Sequence, residues 1–556
     1  MADPSSGLGP PGADRPWWQT GVVYQVYPRA FQDSNGDGVG DLEGVRRRLA
    51  YLAWLGVDAL WLSPFYPSPG ADGGYDVADY CDVHPELGTL ATFDALVTDA
   101  HALGLRVLVD WVPNHSSSAH PWFEDSRRSR SSARRDWYVW RDPAPGDGPA
   151  STRPPTNWLS AFGGPAWTWD AGTDQFYLHS FLPEQPDLNW RAPALARAMR
   201  ATMQFWIDRG VDGFRVDVAH HVLKDPAFRD NPPEPAPDAG HKPVSAYDRQ
   251  QHVHDRAHPD VHALFRRWRA WADAGRERPL LGEIHLGRDL AAWARYAGTP
   301  EAPELHLPLN FGLLGTPLRA AALRAHVEAV EAALPAHGWP SYVWGSHDER
   351  RLATRLAAGG AGEAGARLAA MLLLTLRGTP TLYAGDEIGT PDVPVPPERQ
   401  RDPAGLRTGL PGLGRDGGRT PMAWDGSPSA GFSSAPPDAL WLPLHEGHER
   451  IHVAAQRADP RSLLSLYRRL LAVRRAEPAL YAGAYRSLDA PDGVFAYERS
   501  HGASRAVVAL NLGPARVPWC APPSGMRVAA ATRPERAGRP ERDASLEPWE
   551  GVVWTG

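Results

Sequence analysis

Four acidic residues recur at one kind of place in this sequence. Asp110 ends the run VLVD, Asp217 ends GFRVD, Glu283 ends LLGE, and Asp348 follows VWGSH. The runs are short, apolar and rich in β-branched residues, so each carboxylate falls where a buried strand is expected to stop. Any one of them could instead cap a following helix. Four at the ends of different strands suit a shared purpose better, because a parallel barrel gathers its strand ends at one mouth. Paired carboxylates there can cleave a glycosidic bond: one attacks or stabilises an oxocarbenium-like carbon while the other protonates the departing oxygen, and a separation of about 5–5.5 Å makes the reaction retaining. Asp217 is the candidate nucleophile and Glu283 the candidate acid/base, with Asp348 completing the set.

Arg215 precedes Asp217 by two residues, so on a strand the two share a face. A guanidinium there is expected to hold Asp217 ionised and nucleophilic, although the same spacing also serves plain structural ion pairs. Glu283, flanked by Leu281 and Ile284, is expected in an apolar setting that raises its pKa and keeps it protonated. A second chemistry is legible near the start of the chain. Asp33, Asn35, Asp37, Val39 and Asp41 offer oxygen ligands at alternate positions, with glycines between them, like the opening of a calcium loop. The loop has no Glu at the twelfth position and follows a strand, so it is not an EF-hand. An Asx-rich turn that binds nothing is the alternative. The spacing points to Ca2+ as the expected ion; no His/Cys cluster suggests zinc or a redox metal, and no organic cofactor is expected.

The elements that must position these groups alternate. Apolar runs at Val22–Tyr27, Val57–Leu62, Arg106–Val112, Gly213–Val218, Pro279–Ile284, Leu307–Phe311, Ser341–Trp344 and Thr379–Tyr383 are separated by amphipathic stretches such as Asp41–Leu55, Thr92–Leu103, Ala194–Asp208 and Gly365–Leu376. This predicts an α/β fold, a TIM (β/α)8 barrel with a small domain inserted after strand 3 and a C-terminal antiparallel β domain. An open doubly wound sheet would normally show a Gly-rich phosphate turn after an early strand, and none is present. The expected boundaries are a disordered segment over 1–15, a barrel over 16–115 and 188–478, an insert over 116–187 and a β domain over 479–556. Three irregular stretches, 116–187, 225–260 and 391–421, all follow strands and so belong to the face of a barrel that carries function.

Composition narrows the classes. The 556 residues are 42% hydrophobic and 22% charged, an ordinary globular balance, and their formal net charge of -7 offers no broad cationic surface for nucleic acid. No window of about 20 apolar residues can span a bilayer. The opening MADPSSGLGPPGADRP has no apolar run, so a cytoplasmic location is expected. Cys81 and Cys520 fit a reducing compartment without a disulfide framework. Trp occurs 23 times, and indole faces pack against sugar C–H faces as well as in cores.

DWVPNHSS (110–117), GFRVDVAH (213–220), LLGEIHL (280–286) and VWGSHDE (343–349) resemble, in order, the four strand-end motifs of the α-amylase family, glycoside hydrolase family 13. QPDLNW (185–190) is similar to a segment of its α-glucosidase and oligo-1,6-glucosidase branch. The resemblance runs from about Trp17 into the C-terminal region. It implies that Asp217 forms a glycosyl-enzyme, that Glu283 donates and then accepts a proton, and that Asp348 grips sugar hydroxyls. His115 and His347 are implied as hydrogen-bonding partners of the sugar. Tyr75 is implied as the stacking ring and Asp76 as the terminal-hydroxyl clamp. Phe162 and Phe181 are implied as an aromatic wall, Arg415 and Arg419 as basic residues that close the pocket, and Asp110 and Asn114 as orienting groups. Ser346 stands where an Asn is usual, His285 where an aromatic residue is frequent, and Gly73–Gly74 predicts a barer rim.

The activity the resemblance implies is exo-cleavage of terminal α-linked glucose from a small oligosaccharide or disaccharide by a monomer or homodimer. Val218 after the nucleophile accompanies α-1,6 cleavage in relatives where Thr accompanies α-1,4, but relatives with the same Val-Ala continuation include α-1,4 enzymes, so both linkages stay open. A transglucosylase or sucrose-active enzyme is the neighbouring reading. A non-catalytic transporter subunit is the distant one, disfavoured by the intact acids.

Overall fold

A computed structural model describes residues 15–237, 242–287, 289–519, 525–536 and 545–556. The segment expected to be disordered at the N-terminus falls, but for Arg15, outside the described residues, as does Cys520.

Eight parallel strands form the centre: β1 (Val23–Val26), β2 (Ala59–Leu62), β3 (Arg106–Trp111), β4 (Gly213–Val216), β5 (Leu280–Glu283), β6 (Leu307–Leu309), β7 (Ser341–Val343) and β8 (Thr379–Tyr383). They pair in the order β7-β8-β1-β2-β3-β4-β5-β6. The ends of that order meet through a parallel bridge of Asn310 with Tyr342, where Asn310 N–H donates to Ser341 O at 2.8 Å and Val343 N–H to Asn310 O at 3.1 Å, so the sheet closes into a barrel. Every residue of these eight strands is buried. Burial on both sides explains why they read as continuous apolar runs rather than alternating ones.

Side chains still alternate between two environments. Val23, Trp61, Leu108, Leu281, Leu307 and Val343 pack together in one cluster, whereas Tyr24, Leu60, Val107, Val109, Phe214 and Val216 join the larger core shared with the helices. The period of two therefore carries Asp110 to the side of Leu108 and Glu283 to the side of Leu281. Register completes the alignment: Asp110 lies opposite Arg215 across β3 and β4, and Arg215 opposite Leu281 across β4 and β5.

The helices begin and end on local signals. Asp41 caps 42–55 by accepting from Gly44 N–H at 2.7 Å, and Gly56, at φ 100°, closes that helix in the left-handed region. Thr89 caps 90–102, and Pro193 opens 193–208 where a missing N–H costs nothing.

Between β3 and β4 the chain makes a helix (Pro121–Arg128) and a small antiparallel sheet in which 175–178 pairs with both 140–141 and 167–170. Bridges of His115 with Asp187 and Tyr138 with Leu188 tie this excursion to the barrel. After the helix Leu463–Ala476, five antiparallel strands run in the order 484–488, 494–501, 504–511, 551–555, 527–531. Phe495, Tyr497, Val508 and Val553 from this sheet belong to the same core as the barrel helices.

Candidate active site

Arg215 knots the centre of the mouth. Its Nη1 donates to Asp110 Oδ1 and to Asp217 Oδ1, both at 2.7 Å, and its Nη2 donates to Glu283 Oε2. The guanidinium side chain is 2% exposed and the three carboxylates 0–7%, so this is one buried cation shared by three acids. Asp110 also accepts from Trp61 Nε1 and Tyr75 Oη, each at 3.1 Å, which fixes it as a strut rather than a reacting group.

Glu283 draws two further donors. Val218 N–H lies 2.9 Å from Oε2, and His285 Nε2 lies 2.8 Å from Oε1. Val218 reaches this position at φ 33°, ψ 46°, a left-handed conformation costly for a β-branched residue. The turn after β4 thus spends backbone strain to aim an N–H at the neighbouring acid.

These contacts correct the expectation for Glu283. Burial does push its carboxyl up, but Arg215 and His285 outweigh burial and hold it well below the usual carboxylate range. Asp217 moves the other way: burial raises it, and the charges of Glu283 and Asp110 offset what Arg215 gives back. Burial also lifts Asp110 to about 6, against Arg215. One cation is thus shared by three acids, and the opposite shifts of Glu283 and Asp217 follow from the donors that Glu283 adds and Asp217 lacks.

The group that the resemblance implies for gripping the sugar, Asp348, is built on the loops after β7 and β8. Asp348 Oδ1 accepts from Arg415 Nη1 and Arg419 Nη2, each at 2.9 Å, and these arginines with His347 hold it well below the usual range despite burial. Arg419 Nε donates to His347 O at 2.8 Å. His347 is clamped between Gln25, 2.6 Å from Nδ1, and Tyr75 Oη, 2.6 Å from Nε2, and Tyr75 stacks on it with ring centres 5.4 Å apart. Burial presses His347 down to about 3 and His115 to about 4, so both are neutral hydrogen-bonding groups. His115 faces Gln185 Nε2 at 3.1 Å. Asn114 accepts from Lys224 Nζ at 2.8 Å, and Lys224 pairs with Asp187 at 2.6 Å, fastening the QPDLNW segment below the site. Phe162 and Phe181 lie 5.3 Å apart, with the Arg415 guanidinium 4.8 Å over the Phe162 ring.

One assignment changes. Asp76 turns both carboxylate oxygens into its own loop, accepting from Ser68 Oγ at 2.7 Å, Ala71 N–H at 3.0 Å and Asp72 N–H at 3.1 Å. Asp72 occupies the pocket in its place. Its Oδ1 accepts from Arg415 Nη2 at 2.6 Å and its Oδ2 from Gln185 Nε2 at 3.1 Å. Sequence reasoning missed Asp72 and Gln25, although Asp72 stands three residues before Tyr75 and could have been weighed against Asp76. The glycines beside it also differ from expectation. A Cβ on Gly73 would meet Tyr27 Oη at 2.7 Å and Arg419 Nη1 at 3.2 Å, so the rim there is filled rather than bare. Ser346 accepts from Asp348 N–H at 3.2 Å, a local turn that leaves His347 to Gln25 and Tyr75.

The loop 33–41 lies apart from these groups and is tied into itself. Asp33 Oδ1 accepts from Asn35 and Gly36 N–H, Oδ2 from Gly38 N–H and Ser433 Oγ; Asn35 accepts from Asp37 N–H and Asp37 from Val39 N–H. Asp41 is divided between Ser34 N–H and the helix cap. Among the described residues, no three His, Cys, Asp or Glu side chains converge into a group that could hold a metal ion.

A closed parallel barrel whose strand ends gather carboxylates about one buried arginine defines a polar, bond-cleaving site of the kind that acts on sugars. Residues 25–483 match the alpha amylase catalytic domain model. A probable alpha-glucosidase of Rhizobium meliloti (strain 1021) is 43% identical over 509 residues, 90% of each chain. An oligo-1,6-glucosidase of Halalkalibacterium halodurans is 35% identical over 89% of this chain and 90% of its own. Among solved structures, an alpha-glucosyl transfer enzyme is similar at TM-score 0.89 and 38% identity, covering 98% of this chain and all of its own. The trehalulose synthase of Pseudomonas mesoacidophila MX-45 is similar at 0.85 and 33%, over 98% and 100%. The chain belongs to the alpha-amylase family of glycoside hydrolases. Among the described residues, no helix is long and apolar enough to cross a membrane.

Proposed function

We propose that this enzyme is an exo-acting, retaining α-glucosidase that releases terminal glucose from short α-1,4- or α-1,6-linked oligosaccharides and disaccharides. The observation that carries the reading is the ladder Asp72–Arg415–Asp348–Arg419, charged and hydrogen-bonded throughout, set beside the Arg215 knot of Asp217 and Glu283. Such a ladder supplies both donors and acceptors to the hydroxyls of a single ring. A grip of that kind on one terminal ring favours cutting from a chain end.

In this reading Asp217 attacks C1 of the bound glucosyl unit while Glu283 gives a proton to the departing oxygen; in the second step water, losing its proton to Glu283, attacks C1 and the bond to Asp217 breaks. Turnover needs the proton on Glu283 and the charge on Asp217, and a developing cationic C1 beside Asp217 favours that arrangement. Transfer to a sugar acceptor instead of water is the second reading, favoured by the likeness to an alpha-glucosyl transfer enzyme and a trehalulose synthase.

Incubation with maltose, isomaltose, sucrose and trehalose, followed by NMR, tests this: the glucose first released is α-configured. An initially β-configured product contradicts retention, and turnover of none of the four contradicts the substrate class. We also propose a Ca2+ or Mg2+ ion at Asp33, Asn35, Asp37, the Val39 carbonyl and Asp41, supported by the alternate spacing of these oxygen donors along the loop. A chelator should then lower the melting temperature and added Ca2+ restore it; no response to several chelators rejects the ion.

A further inference from the structure

The two oxygens of Glu283 have different neighbours. Oε2 is tied inward by Val218 N–H and Arg215. Oε1 meets only the ring of His285 among its hydrogen-bonding partners described above, at 2.8 Å from Nε2. That ring is 40% exposed, so it stands at the open side of the acid/base rather than in the buried knot. It is held in place from a different strand: it lies flat on Phe311, just beyond β6, with ring centres 4.2 Å apart and planes 23° from parallel. His220, on the turn after β4, lies 6.2 Å away by ring centre. A proton given to a departing oxygen must leave from the oxygen that Arg215 does not hold, and that is the one His285 touches.

Resting on the glycosidase reading, we propose that His285 is a positioning residue for Glu283, holding Oε1 in line for the glycosidic oxygen and yielding its place when that oxygen, or an acceptor hydroxyl, arrives. In the first step the Oε1–H proton passes to the glycosidic oxygen as the C1–O bond breaks and the bond from Asp217 to C1 forms. The alcohol departs and Glu283 is left as a carboxylate. The Nε2–H tautomer of His285 then holds Oε1 until the O–H of water or an alcohol returns a proton to Glu283 as its oxygen attacks C1. His285 gains and loses no proton over the cycle. Its role is to keep the carboxyl from swinging toward Arg215 with both oxygens.

The test compares leaving groups on the full chain. His285→Phe preserves the stack on Phe311 and removes the hydrogen bond; His285→Gln restores a donor. With maltose, whose departing alcohol needs the proton, His285→Phe should lower kcat/KM about tenfold, the scale of a hydrogen bond to a charged group. With para-nitrophenyl α-glucoside, whose leaving group departs as an anion, the loss should stay under about threefold, and His285→Gln should recover most of the maltose activity. Equal losses on the two substrates, no loss on maltose, or a Gln variant as poor as Phe each overturn the proposal. Glu283→Gln, run alongside, separates the two claims: if it still hydrolyses maltose at the parental rate, the glycosidase reading itself fails, whatever His285 does.

Discussion

Replacing Arg215 by Met should unfold the barrel more readily, and more so at alkaline than at acidic pH. The guanidinium is the one cation bonded to Asp110, Asp217 and Glu283, all nearly inaccessible to water, and it also lies 5.1 Å over the Trp61 ring. Removing one partner of a buried ion pair costs about 3–5 kcal/mol, because the remaining charge has lost its compensation. Unfolding entropy of about 2.1 cal/mol/K per residue over a barrel of roughly 400 residues gives ~0.8 kcal/mol/K, so the melting temperature should fall by about 4–6 °C at pH 8. Without Arg215 the Asp110 and Asp217 carboxyls are raised further above their unfolded values, and Glu283 loses the larger part of what holds it below. A group with a raised folded pKa gives stability that is full below its unfolded pKa and lost as pH rises through the folded one. The deficit should therefore shrink on going from pH 8 to pH 5, where the acids take up protons. Lys at this position restores a charge without the planar fork and should recover part of the stability but little of the activity. Circular-dichroism melts of parent, Met and Lys forms at both pH values measure this. A Met variant within about 1 °C of the parent at pH 8, or a deficit independent of pH, refutes the account of the knot.

Asp72→Ala should reduce kcat/KM on disaccharides by roughly 10²-fold, as loss of a charged contact at the sugar does, while leaving the fold intact; a parental kcat/KM would return the clamp to another residue. Asp76→Ala should instead lower the melting temperature by releasing Ser68, Ala71 and Asp72. Acid should destabilise the whole protein. Burial holds His115, His179 and His326 down at about 4 and His120 and His347 at about 3, so each gives stability that is complete above pH 6.5 and lost as pH falls through that window, about 1.4 kcal/mol per histidine per unit. Asp72, Asp110 and Asp386, raised to about 6, run the opposite way between about 6 and 4 and offset part of this. A melting temperature at pH 5 equal to or above that at pH 7 contradicts this sum.

The barrel was legible because its strands are buried on both faces and so announce themselves as apolar runs; the structure trims seven of the eight runs by one or two residues, as at 22–27 against Val23–Val26, and leaves Thr379–Tyr383 whole. The convergence of Asp110, Asp217 and Glu283 was legible because strand position alone brings them together. The short strands 140–141, 167–170 and 175–178 were not, since they are held by aromatic packing such as Phe123 on Trp140 and by bridges to residues far along the chain, which leave no period to read.

The two misreadings at the site have a common physical root. A motif fixes which residues lie on a loop, but a loop side chain goes where its nearest donors are. Asp76 finds two backbone N–H groups and a hydroxyl within eight residues, a purely local solution, and that frees Asp72 to meet Arg415, a partner more than three hundred residues away. Glu283 likewise sits among apolar sequence neighbours but beside Arg215 and His285 in space, and the donors rather than the neighbours set its charge. Arg215 and His285 together thus hold the Glu283 carboxyl low, whereas Asp217, which shares the same guanidinium without a second donor among the hydrogen bonds described above, is raised by its burial.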